Sequence, residues 1–173
     1  LFRNLRIKKA SYTAVKDNPS YHPGRCAKVT IDSVNVGFIG QIHPLVAKNY
    51  GIECEVYCAE INFTKLFDLQ LPEPTYVPLP KYPSVSRDIS IVCDEAVTVA
   101  QAETVISESA GKLLRNIRLF DIYRGVGVPD GKKSLAFSLE LRADDRTLTD
   151  ADSEKVTANV LTALSEKLSA ALR

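Results

Sequence analysis

Asp121 and Tyr123 stand two residues apart, as do Ser134 and Ala136 beyond a loop rich in Gly, Pro and Asp. Arg118, Arg124, Lys132 and Lys133 surround them. In extended backbone neighbouring side chains point to opposite sides, so residues at a spacing of two share a face. A ring that can stack, a carboxylate that can accept from a base edge, small neighbours that leave room and cations for phosphates together have the chemistry of a nucleobase platform. The competing reading is an ordinary exposed tyrosine beside a solvated basic loop.

The element that must position these groups is a β-hairpin. Residues on both sides of the loop alternate with a period of two, the mark of half-buried strands. Phe120 and Ile122 on the first strand, with Leu135, Phe137, Leu139 and Leu141 on the second, are expected to form a core face under a layer of helices. Asp121, Tyr123, Ser134, Ala136 and Ser138 are expected on the open face, where the tyrosine ring has nothing bulky beside it. The Gly125–Ser134 stretch has the look of a phosphate-binding loop. Its glycines are one residue too close for a P-loop, however, and it leads into a strand instead of a helix.

Composition sets the outer bounds. Of 173 residues, 45% are hydrophobic and 25% charged, which is ordinary for a soluble globular protein of one or two domains. No apolar run approaches the roughly 18 residues of a membrane helix and no leader is visible, so a cytoplasmic protein without membrane contact is expected. The sequence opens on Leu1 and contains no Met, which reads as an excerpt of a longer chain. A net charge of +1 argues against a generic polyanion binder and gives no reason to expect DNA. The charge is local instead, with six basic residues against two acids between Lys112 and Lys133.

Cys26, Cys54, Cys58 and Cys93 lack the spacing of a disulfide framework or a paired metal motif, so reduced thiols and no metal are expected. A zinc site on Cys54 and Cys58, or a nucleophile built from His22, Cys26 and His43, has no supporting spacing.

Along the chain, Ser11–Val15 is β-prone and Tyr21–Arg25 reads as a turn. Ala27–Asp32 and Val36–Ile42 read as strands joined at Ser33–Val34, with Gly37 and Gly40 marking a bulge or close backbone approach. His43–Pro44 opens a short helix with Leu45, Val46 and Tyr50 on its apolar side, stopped by Gly51. Val56–Asn62 is a further strand, and Thr64–Leu69 a further short helix. Five of the nine prolines fall between Asp68 and Ser84, which suits an extended linker over 71–84.

Beyond the linker Asp88–Cys93 is a strand with Ile89 and Ile91 inward. Thr98 with Gln101, and Thr149 with Asp152, are capping-box signals for two helices. The first carries Ala102, Val105 and Ile106 on its buried stripe and stops at Gly111; the second carries Val156, Val160, Leu161, Leu164 and Leu168. With Ala170–Leu172 as a closing strand, the order is strand, helix, strand, strand, helix, strand: an α+β, ferredoxin-like βαββαβ domain over 85–173.

Several blocks now accumulate in order. Lys81-Tyr82-Pro83-Ser84-Val85-Ser86-Arg87-Asp88, Leu119–Gly125, Gly131–Ala136 and Asp145–Asp150 resemble the anticodon-binding domain that ends the beta chain of bacterial phenylalanine–tRNA ligases. His22–Ala27, Gly37–Pro44 and Tyr57–Ile61 resemble the end of the same chain's catalytic-like module, with Cys26 where Ser is more usual. The resemblance implies that residues 1–70 are part of a mainly antiparallel class II synthetase-like core without an active site. It implies an α2β2 enzyme that charges phenylalanine tRNA using ATP and Mg2+, with the chemistry in the alpha chain and no catalytic residue or cofactor here. It also implies that Asp121, Tyr123, Ser134 and Ala136 hold the first anticodon base, a guanine. Arg118, Arg124, Lys132 and Lys133 are then expected on phosphates. Without the resemblance two readings compete: a regulatory module binding a small ligand, and an assembly module with an apolar patch on the open sheet face.

Overall fold

The computed structural model describes the chain except for residues 3, 6, 8, 9, 70–74 and 77. It forms two compact units, Leu1–Tyr76 and Val77–Arg173. The proline-rich stretch expected as a linker falls partly outside the described residues.

In the first unit, β1 (Ala10–Ala14), β2 (Tyr21–Ile31), β3 (Val34–Ile42) and β4 (Tyr57–Ile61) form an antiparallel sheet in that order, with short helices α1 (Pro44–Asn49) and α2 (Phe63–Asp68). Val29, Ile31, Val36 and Leu66 are its buried cluster. The β2–β3 turn is at Asp32–Ser33, one residue earlier than expected. Both residues have positive φ, 46° and 68°, the conformation that matches the twist of a tight hairpin.

Gly37 and Gly40 are close-approach positions. A Cβ on Gly37 would lie 1.9 Å from the Glu60 carbonyl oxygen, and one on Gly40 would lie 2.4 Å from that of Arg25. Two expectations need correction. Tyr21–Arg25 is not a free turn but the start of β2, where the pairing with β3 jumps between Tyr21 and Cys26. The irregularity absorbs Pro23, whose missing N–H would otherwise break a ladder. Helix α1 buries Ala47 rather than Leu45 and Tyr50, which are exposed.

The second unit runs β5 (Val85–Asp94), α3 (Val99–Ala110), β6 (Leu114–Tyr123), β7 (Lys132–Leu141), α4 (Asp150–Leu168) and β8 (Ala171–Leu172). The sheet order is β6-β7-β5-β8 and every pairing is antiparallel, which is the ferredoxin-like arrangement. Both helices start with the expected capping boxes, Thr98 with Gln101 and Thr149 with Asp152. Each box satisfies two N–H groups that a helix start leaves without partners.

Ala102, Val105 and Ile106 of α3 and Val156, Val160 and Leu164 of α4 pack with Ile89, Ile91, Leu135, Phe137, Leu139 and Leu141 in one core. Arg87 ties the sheet to α4: its Nη2 donates to Asp150 at 2.7 Å, and its Nε donates to the fully buried Ser153 hydroxyl at 3.1 Å. With the helices on one side, the other face of the sheet is left for function.

Candidate nucleic-acid interface

The site is set by how β6 meets β7. Asp121 pairs with Ala136, Ile122 with Leu135 and Tyr123 with Ser134, whereas Leu119 pairs with Phe137. Phe120 is therefore an extra residue, a β-bulge, and alternation restarts after it. This corrects the expected core face. Leu119, not Phe120, packs against the core, and Phe120 is 51% exposed. Ile122 stays on the helical side but is 41% exposed. The bulge has a second effect: Arg118, opposite Ser138, shares a face with Asp121 and Tyr123. An unbroken strand would have turned it away.

The face opposite the helices carries Arg118, Asp121 and Tyr123 from β6, Lys132, Ser134, Ala136 and Ser138 from β7, and Ser86, Asp88, Ser90 and Val92 from β5. The strands are cross-linked by hydroxyl pairs, Ser90 with Ser134 and Ser86 with Ser138, each at 3.1 Å. Asp121 and Arg118 are exposed and Tyr123 is half-buried. Ser134 and Ala136 are only 2% and 9% exposed. They form the floor of the site and present little surface of their own.

Tyr123 is not the isolated ring the sequence suggests. Its hydroxyl donates to the Val126 carbonyl at 3.3 Å, and the Arg173 guanidinium lies over the ring, 4.8 Å from its centre. Gly125 lies against the hydroxyl end, where a Cβ would stand 2.9 Å from the phenolic oxygen. Arg173 and Ser90 are the members of the site that sequence reasoning missed. Ser90 was legible from the alternation of β5. Arg173 lies just past a two-residue strand too short to show a period.

The four expected phosphate-binding cations do not stand alike. Arg118 and Lys132 project from the open face. Arg124 is held by Glu95, its Nη2 and Nε donating to the carboxylate at 2.6 and 3.1 Å. The hydrogen bond from Arg124 holds the Glu95 carboxyl below the usual glutamate range, and the carboxylate in turn raises the guanidinium. Lys133 points to the helical side, is 8% exposed, and donates from Nζ to the Glu95 carbonyl at 2.9 Å. Its ammonium braces the end of β5 and is not available to a phosphate, which removes it from the expected set.

In the first unit both histidines are engaged locally. Nδ1 of His22 accepts from the Gly24 N–H at 3.0 Å, and Nδ1 of His43 accepts from the Leu45 N–H at 3.2 Å, capping α1. Cys26 is buried, and burial pushes its thiol up. A buried, protonated thiol with both imidazoles occupied is a poor nucleophile. Among the described residues no three His, Cys, Asp or Glu side chains are grouped to hold a metal ion, and no helix is long and apolar enough to cross a membrane.

A family model described as the ferredoxin-fold anticodon binding domain matches residues 80–173, and one described as the phenylalanyl tRNA synthetase beta chain CLM domain matches residues 1–63. Among curated relatives, the phenylalanine–tRNA ligase beta subunit of Clostridium tetani is 40% identical over 173 residues, covering 100% of this chain and 22% of the relative. That of Bacillus licheniformis is 42% identical over 173 residues, covering 100% and 21%. That of Bacillus subtilis is 42% identical over 152 residues, covering 88% and 19%. The chain thus spans about a fifth of the length of the relatives it matches.

Proposed function

On the premise that the chain belongs to the phenylalanine–tRNA ligase beta-chain family and that its second unit is a ferredoxin-fold anticodon-binding domain, we propose that the helix-free sheet face holds the first anticodon base of phenylalanine tRNA. The observation that carries this reading is one face bearing Asp121 and Tyr123 over a small-residue floor, with Arg118 and Lys132 alongside. A guanine offers N1–H and N2–H side by side to the Asp121 carboxylate. Adenine has no such pair of donors on that edge, so the carboxylate discriminates while the Tyr123 ring supplies sequence-blind stacking. Arg118 and Lys132 contribute salt-dependent contacts to phosphates, and Arg124 joins them to the extent that Glu95 releases it.

Within the longer protein, residues 1–70 are read as the end of a catalytic-like class II module that serves assembly with the alpha chain of an α2β2 enzyme, in the cytoplasm. That enzyme attaches phenylalanine to its tRNA. ATP and Mg2+ supply the activation chemistry in the alpha chain, and no residue of this chain is assigned to either. An assembly role for the sheet face fits less well, since Val92 is the one large aliphatic side chain that the pairing places there.

The test is amide chemical-shift mapping of the chain with the phenylalanine anticodon stem-loop and with a loop carrying adenine at the first anticodon position. Shifts centred on Asp121, Tyr123, Ser134 and Ala136, and weaker with adenine, are expected. Equal shifts with both loops, confined to Arg118, Lys132 and Arg124, would leave only electrostatic attraction at this face.

A further inference from the structure

The geometry points to Arg173 as the second wall of the base slot, a guanidinium that the incoming base separates from Tyr123 to give a tyrosine–base–arginine sandwich. This inference rests on the anticodon-binding reading above. Arg173 follows β8, and its backbone N–H donates to the Ser90 carbonyl, which fixes it beside β5. Tyr123 is on β6, two strands further across the sheet.

The two side chains reach toward each other across the open face and meet, with the guanidinium 4.8 Å from the ring centre. Nη2 of Arg173 also comes within 4.0 Å of where a Cβ on Gly127 would stand, so the group sits near the hairpin loop.

Gly125 backbone lies against the hydroxyl end of the ring, and Arg173 lies over one of its faces. A base that stacks on that face of Tyr123 must take the place the guanidinium now holds. A guanidinium is planar and stacks on bases as well as on rings, and its exposed side chain is free to shift outward by one stacking layer. The existing contact is a cation–π pair; opening it exchanges one stack for two.

The decisive variant is Arg173→Lys, which keeps the charge and loses the plane. Binding of the whole chain is measured with the phenylalanine anticodon stem-loop and with the same loop abasic at the first anticodon position. Arg173→Lys is expected to bind the guanine loop about ten-fold more weakly than wild type, the scale of one lost base stack, and to match wild type on the abasic loop. Tyr123→Ala serves as comparator. If Arg173→Lys equals or exceeds wild type on the guanine loop while Tyr123→Ala is weakened, Arg173 is no wall of the slot. If Arg173→Lys weakens both loops alike, it is a phosphate contact and the sandwich is overturned. If Tyr123→Ala also binds like wild type, the anticodon reading of this face fails with it.

Discussion

Replacing Tyr123 separates what the ring does for RNA from what it does for the fold. Tyr123→Ala removes a long hydrogen bond to Val126, at 3.3 Å, and the stack under Arg173. The first is worth about 0.5–1 kcal/mol at a half-exposed position, the second about 0.5–1 kcal/mol. Tyr123 lies outside the core cluster of the second unit, so no cavity opens beneath it. The folded state should lose about 1–2 kcal/mol and survive at ambient temperature. Binding of the anticodon stem-loop should fall by about 1–3 kcal/mol, roughly five- to 150-fold. Tyr123→Phe keeps the ring and gives up only the hydroxyl, so it should stay within about three-fold of wild type. The assay is calorimetric or anisotropy titration of each variant, with a thermal melt to establish that it is folded. A folded Tyr123→Ala chain that binds like wild type would refute ring stacking, as would a Tyr123→Phe chain as weak as Tyr123→Ala.

Four other outcomes check the remaining assignments. Arg118→Ala and Lys132→Ala should each flatten the dependence of log affinity on log salt by ~0.7, the value for one single-strand phosphate contact. Lys133→Ala should leave that slope unchanged and lower thermal stability, because its ammonium serves the Glu95 carbonyl. Gly37→Ala should destabilise the first unit by at least about 2 kcal/mol in a denaturant melt, since a side chain at φ 153° meets the Glu60 carbonyl. Glu95 is held below its ordinary value by Arg124, so its contribution is complete above the unfolded-state pKa and is lost as pH falls through the lower folded-state value. Glu95→Gln should remove this part of the acid sensitivity in melts run below about pH 4.5.

The elements that were legible in the sequence are those specified by neighbours in the chain. Thr98 with Gln101 and Thr149 with Asp152 form capping boxes three residues across, and both appear where read. The alternation of Leu135, Phe137, Leu139 and Leu141 places all four in the core because β7 pairs on both edges and has no freedom to slip. Tyr21–Arg25 was misread because a Pro-Gly pair signals a departure from regular pairing without saying whether it is a turn or an irregular stretch of strand. The exposure of Leu45 and Tyr50 was illegible for a related reason: in a helix of six residues, one buried alanine suffices to dock it.

The basic residues of the hairpin show how a period of two can mislead and where it still decides. On β6 a simple alternation groups Arg118 with Phe120 and Ile122, on the side away from Asp121. The adjacent apolar pair Leu119–Phe120 admits either phase, and the bulge that resolves it depends on the register with β7, which sequence spacing does not carry. One extra residue therefore moves a cation onto the face where Asp121 and Tyr123 stand. On β7 no bulge intervenes, and the same alternation that assigns Leu135 to the core assigns Lys133 to that side and Lys132 to the other. Adjacent lysines that look equivalent in a basic loop thus have opposite tasks, one holding a backbone carbonyl and one projecting from the open face. Local positive charge is a guide to a nucleic-acid surface only after each cation has been assigned to a side of its strand.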